Sequence, residues 1–152
     1  MKYVFDAGPF IDSRYYFPNI FKSYWTELNK MAESRDIISV KEVYNELLNG
    51  SDIISDWAIQ NNNIFEIPNS EEFQVVTEIL SKHKELIRNA NYSGGTPVAD
   101  PFVIAKAKVN DLIVVTREYY REHAHKIPNI CKEFGLIYMN FEEFLINEGW
   151  EF

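Results

Sequence analysis

The chain has 152 residues, 46% hydrophobic and 25% charged, which is the composition of a folded globular protein and excludes a disordered or fibrous one. Its 23 Asp and Glu against 15 Lys and Arg leave a net charge of −8, which argues against a nucleic-acid coating protein but not against an enzyme whose carboxylates hold divalent cations. A single cysteine, Cys131, excludes a disulfide-stapled fold and points to the cytoplasm, while the length points to one domain spanning residues 1–152.

Tyr3-Val4-Phe5 is a short β-prone run ending at Asp6, too short for the apolar region of a signal peptide. Ala7-Gly8-Pro9 then punctuates the chain. From Pro18, the apolar residues Phe21, Tyr24, Trp25, Leu28, Met31 and Ala32 recur at helical spacing. Ile37 to Val40 reads as a second strand, followed by a helix that carries Val43, Tyr44, Leu47 and Leu48 and ends at Asn49-Gly50. A further helix is expected over Ser51 to Asn62, an extended stretch over Ile64 to Ile67, and a long helix capped by Asn69 and Glu72 that continues to Ile87. Asn91 to Pro97 reads as an irregular loop suited to shaping a site.

Asp100-Pro101 opens the next helix, which runs to about Asn110, and Leu112 to Val115 is a strand apolar enough to be covered on both faces. A short helix before Gly135, a strand over Leu136 to Met139 and a final helix capped by Asn140 and Glu143 complete the pattern. Strands alternating with helices predict an α/β protein whose mainly parallel sheet lies between two helical layers. No stretch of about 18 apolar residues occurs, so no membrane partner is expected.

In such a sheet, functional residues collect beyond the C-terminal strand ends. Asp6, Glu46, Asp100 and Glu118 all fall there or on the adjoining helices. Carboxylates crowded in a cleft repel one another unless a hard divalent cation lies between them, so Mg²⁺ or Mn²⁺ is the expected cofactor. Paired ions of this kind stabilise the attacking and leaving oxygens of a phosphodiester displacement. Each acid also has a plainer reading. Asp100 suits a helix N-cap before proline, and Glu46 suits a solvated helix charge, with Glu42 as its same-face rival. Glu118 suits a surface glutamate, with Glu122 as rival. Asp6 is the least easily dismissed, because an ionised group ending an apolar strand needs a partner.

Arg117, Arg121 and Lys126, with His123 and His125, form a basic cluster immediately after the Leu112 to Val115 strand. They are candidate, weak phosphate contacts, although a solvated helix face is the plainer reading. His123 and His125 lie two apart and would point to different sides of a helix, so they do not read as a ligand pair. Tyr119 and Tyr120 are candidates for base stacking, with core packing the default.

Tyr3 to Ile11, Val43 to Leu47, Ala99 to Ala107 and Val114 to Glu118 together resemble the acidic motifs of PIN-domain ribonucleases, and of small VapC-like toxins in particular. The resemblance spans nearly the whole chain. It implies a three-layer α/β/α PIN-like fold and metal-dependent endoribonuclease activity, with Asp6, Glu46, Asp100 and Glu118 as catalytic and metal-binding acids and Thr116 as a supporting hydroxyl. It further implies an RNA substrate, an antitoxin partner and a homodimer. The chain departs from the pattern where Ala7 and Gly8 replace small polar residues and where Glu118 replaces the commoner Asp. Those departures motivate the alternative of a catalytically impaired PIN-like binding module acting through a protein partner.

Overall fold

A computed structural model describes residues 1–50, 52–87 and 98–152. The expected loop over Asn91 to Pro97 lies outside the described residues, as does Ser51. The strands are β1 (Tyr3–Phe5), β2 (Ile37–Val40), β3 (Phe65–Glu66), β4 (Ile113–Val115) and β5 (Tyr138–Met139). They form one five-stranded sheet in the order β3-β2-β1-β4-β5. Every neighbouring pair is parallel, with Val4 registered against Ile38 on one side and Val114 on the other. Parallel strands need crossover connections, and helices supply them.

The α-helices are α1 (Ala7–Asp12), α2 (Lys22–Glu33), α3 (Lys41–Leu48), α4 (Ile53–Gln60), α5 (Ser70–Lys82), α6 (Asp100–Asn110), α7 (Ile127–Phe134) and α8 (Phe141–Asn147). Successive side chains of a strand point to opposite faces, yet Tyr3, Val4 and Phe5 are all fully buried. Both faces of the sheet are therefore covered, which is the three-layer α/β/α arrangement expected. Phe144 of α8 packs edge-on against Tyr3 and Phe5, at ring separations of 5.0 and 4.9 Å.

Several boundaries differ from the sequence reading. Gly8 and Pro9 lie inside α1 rather than in a turn, because a first-turn proline gives up an N–H that has no partner within the helix anyway. Pro18 precedes rather than opens a helix: Phe17 to Phe21 form a turn, and α2 begins at Lys22. Helix α4 begins at Ile53, where the Asp52 carboxylate accepts the N–H groups of Ile54 and Ser55. The Asn69/Glu72 capping box forms as expected, but α5 ends at Lys82, with His83 as its C-cap, short of Ile87.

Two buried polar groups set the sheet and helix positions. Ser39 on β2 is fully buried, and its hydroxyl donates to the Phe5 carbonyl at 2.6 Å, tying the end of β1 to its neighbour. Lys106, 3% exposed on α6, reaches Glu66 of β3 at 2.7 Å and the buried Glu72 of α5 at 2.8 Å. Glu66 is in turn paired with Arg35. This network fixes the azimuth of α6 and hence the direction of its first turn.

Removing one partner of a buried ion pair leaves the other charge uncompensated, which typically costs about 3–5 kcal/mol. Lys106→Met should therefore lower unfolding free energy by about that much in urea titration. Lys2→Met, which breaks an exposed pair with Glu148 at 3.2 Å, should cost about 1 kcal/mol or less.

Candidate functional site

The chain leaves β1 toward β2 on one side and returns to β4 on the other, so the strand order reverses between β1 and β4. A crevice opens at such a switch point beyond the strand ends, and the residues that follow β1 and β4 necessarily flank it. Asp6 immediately follows β1, and its N–H donates to the Val115 carbonyl at 2.9 Å. Thr116 and Glu118 follow β4, while Asp100 is the first residue of α6, the helix leading into β4. Three elements thus deliver carboxylates to one place. Asp6, Asp100 and Glu118 each present an oxygen within 4.8 Å of the other two, and all three are half-buried.

The hydroxyl of the fully buried Thr116 donates to Asp6 Oδ2 at 3.1 Å and accepts the Glu118 N–H at 3.2 Å. Glu118 Oε2 accepts the Ile127 N–H at 2.9 Å, capping the first turn of α7. One carboxylate is held by a hydroxyl and another by a helix terminus, so neither is free to turn away.

The electrostatics follow from burial and crowding. Burial is the largest influence on Asp6 and raises its pKa to about 6, with the Glu118 charge adding to the shift. The Ala7 N–H, the Thr116 hydroxyl and Arg117 oppose it. Asp100 is raised well above the ordinary carboxylate value, first by burial and then by Glu118, Asp6 and Glu46. Hard oxygen donors crowded in this way could hold a divalent cation.

Glu46 on α3 stands outside the group of three and is exposed, yet its carboxyl is raised by burial and then by the charges of Asp6 and Glu118. It therefore faces the crevice from the rim. Its rival Glu42 is raised by burial, opposed by its own backbone N–H and by Lys41, with no influence from the acidic group. Glu122 is exposed and lies 3.6 Å from His123, away from the cluster.

Other sequence readings need correction. Ala99, not Asp100, occupies the N-cap of α6; Asp100 is the first helical residue, its own backbone N–H bonds its carboxylate, and that carboxylate meets Asp6 and Glu118 in the crevice. Residues 119–126 form no helix, so the argument that His123 and His125 point to opposite helix sides does not apply. Tyr119 and Tyr120 are exposed at 72% and 47% rather than packed in the core, and Lys132 lies 4.0 Å over the Tyr120 ring. Arg121 and Lys126 are exposed.

Arg117 instead folds back over α1 and pairs with Asp12 at 3.1 Å. The sequence reading missed Asp12, although Gly8 and Asp12 lie four apart on one helical face. A Cβ on Gly8 would come within 3.0 Å of Arg117 Cγ, so the absent side chain is the space through which Arg117 reaches Asp12. Gly8 thus exchanges a small polar group for a neighbouring cation.

The fold and this crevice define a three-layer α/β/α protein with a carboxylate hollow at the switch point of a parallel sheet. The chain belongs to the family described as a domain of unknown function, DUF4411, which matches residues 3–152. No curated protein matches the sequence. Among solved structures, the fold is similar to a chain of VapBC2 from Rickettsia felis bound to a promoter DNA fragment, at 17% identity and TM-score 0.50, covering 92% of this chain and 98% of that one. A chain of DNA-bound VapBC from Salmonella typhimurium matches at 16% identity and TM-score 0.52, covering 93% and 98%. One of VapBC-1 from nontypeable Haemophilus influenzae matches at 14% and 0.51, covering 93% and 99%. At these identities the likeness shows the fold, which is that of VapC-like PIN proteins.

Because the folded-state pKa of Asp6 lies above its ordinary 3.8, folding takes up a proton between pH 3.8 and about 6. Its contribution to stability is full below that window and is lost as pH rises through about 6. Asp6→Asn should therefore flatten this part of the stability profile and raise unfolding free energy at pH 7 by about 1–3 kcal/mol, as read from urea midpoints at a series of pH values without divalent ions.

Proposed function

We propose that this chain is a divalent-metal-dependent endoribonuclease with residues 1–152 as one PIN-like domain, acting in the cytoplasm as the toxin of a toxin–antitoxin module. The observation that carries this reading is the convergence of Asp6, Asp100 and Glu118 at the switch point, with their oxygens mutually within 4.8 Å. Asp6, Asp100 and Glu118 would hold the cation, with Glu46 completing the acidic wall. Bound there, Mg²⁺ or Mn²⁺ would supply charge neutralisation and Lewis acidity toward a phosphodiester.

The chain's own residues have distinct tasks. Thr116 orients Asp6, and the Ile127 N–H orients Glu118, so the carboxylates are arranged before substrate arrives. Glu46, at the rim and raised by its surroundings, is suited to accept a proton from the attacking nucleophile or return one to the leaving oxygen. Arg121 and Lys126, exposed on the segment after Glu118, would contact backbone phosphates, with Arg117 beside Asp6.

The described residues hold no helix long and apolar enough to cross a membrane. The matched structures are VapBC complexes, which supports an antitoxin as partner here; a homodimer is the expected assembly.

Asp6→Asn and Asp100→Asn should each reduce Mn²⁺-dependent cleavage of a mixed RNA pool by at least about 100-fold, with far-ultraviolet circular dichroism unchanged. Glu46→Gln, at the rim, should cost less. EDTA should abolish cleavage by the parent chain, and Mn²⁺ should restore it. Cleavage by Asp6→Asn at the parental rate would overturn the reading. Absence of both cleavage and Mn²⁺ uptake in the parent would favour the catalytically impaired binding module.

A further inference from the structure

We propose that Arg117 anchors the RNA phosphate adjoining the scissile one, with Gly8 and Asp12 as the residues that position its guanidinium. This rests on the nuclease reading above and deepens it, by assigning the groups that grip the substrate strand beside the carboxylate hollow.

Arg117 stands between Thr116, whose hydroxyl donates to Asp6 Oδ2, and Glu118 of the hollow. Its backbone is therefore fixed to the site. From there the side chain crosses the first turn of α1, where a Cβ on Gly8 would meet its Cγ at 3.0 Å and its Cδ and Nε at 3.1 Å. Any side chain at position 8 would push the arm aside. Beyond Gly8, Arg117 Nη1 donates to Asp12 Oδ1 at 3.1 Å. A helix rises about 1.5 Å per residue, so Asp12 lies about 6 Å further along α1 than Gly8. The guanidinium is thereby held next to the hollow rather than inside it, near enough to oppose the upward shift of the Asp6 pKa.

What this group can bind follows from its position and its shape. With the scissile phosphate at the carboxylate hollow, the next phosphate of the same strand lies beside it, where the guanidinium is held. Among the described residues Asp12 is its one hydrogen-bond partner, and the Arg117 side chain is 55% exposed. The remaining N–H groups belong to a planar fork that matches phosphate oxygens in both geometry and charge. Asp12 orders the arginine in advance, so less conformational freedom is lost when a phosphate binds. Stability does not account for the arrangement. An exposed ion pair adds little to it, and glycine inside a helix detracts from it.

Binding of a labelled single-stranded RNA at a series of salt concentrations tests the proposal, in an Asp100→Asn background chosen to stop cleavage, alongside kinetics of the otherwise unaltered chain. Arg117→Gln should weaken binding about tenfold and reduce the slope of log K against log salt by about 0.7, the loss of one phosphate contact. In the kinetics it should raise KM about tenfold and leave kcat within about twofold. Gly8→Ala, which changes no charge, should weaken binding about threefold while Arg117 is present and not at all in Arg117→Gln. Asp12→Ala should weaken binding while Arg117 is present and strengthen it in Arg117→Gln, where only the repulsion of the Asp12 charge is left to remove. An Arg117→Gln chain with parental affinity, KM and salt slope, or an Asp12→Ala chain that binds more tightly with Arg117 in place, would overturn the proposal. A parent chain that binds RNA through Arg117 without cutting it would refute the nuclease reading and leave the phosphate anchor standing, and one that binds no RNA would refute both.

Discussion

The carboxylates of Asp6, Asp100 and Glu118 repel one another, and the fold nevertheless keeps them within 4.8 Å. Repulsion between partly buried like charges is paid in stability, and it persists only because each group is anchored from behind. Asp6 is fixed by the parallel pairing of β1 with β4 and by the Thr116 hydroxyl. Glu118 is fixed by a helix N-terminus, and Asp100 by the helix whose azimuth Lys106 sets. Burial first, and the neighbouring carboxylates after it, raise the pKa of both aspartates.

That anchoring explains why apparently distant features belong to the site. Ser39 lies inside the sheet, but its bond to the Phe5 carbonyl holds the residue immediately before Asp6. The Lys106, Glu66 and Glu72 network joins α6, β3 and α5, and the first turn of α6 carries Asp100. At Gly8, a missing side chain lets Arg117 cross α1, so a cation that moderates Asp6 comes from the loop after β4.

The segment after Glu118 connects the carboxylate hollow to a histidine pair. The Glu118 to Ile127 bond closes the segment into a loop beside the carboxylate hollow, and His125 near its C-terminal end meets His83. Between them, exposed Tyr119 and Tyr120 sit among basic side chains although the chain as a whole is acidic.

Local sequence determined much of this protein. Apolar runs ending at Asp6 and Val115 marked buried strands, since only sheets covered on both faces tolerate unbroken apolar strands. The Asn69/Glu72 and Asn140/Glu143 capping boxes marked helix starts because they are satisfied within four residues. The positions of Asp6, Asp100 and Glu118 relative to their elements were equally legible, because strand ends and helix starts are local events. Which residues actually meet was not. Glu46 and Glu42 share one helical face, and only the packing of α3 decided which of them senses the acidic group. Arg117 pairing with Asp12 across 105 residues, and His83 meeting His125 across 42, depend on the relative placement of whole elements. Such contacts arise from three-dimensional packing, and no periodicity along the chain encodes them.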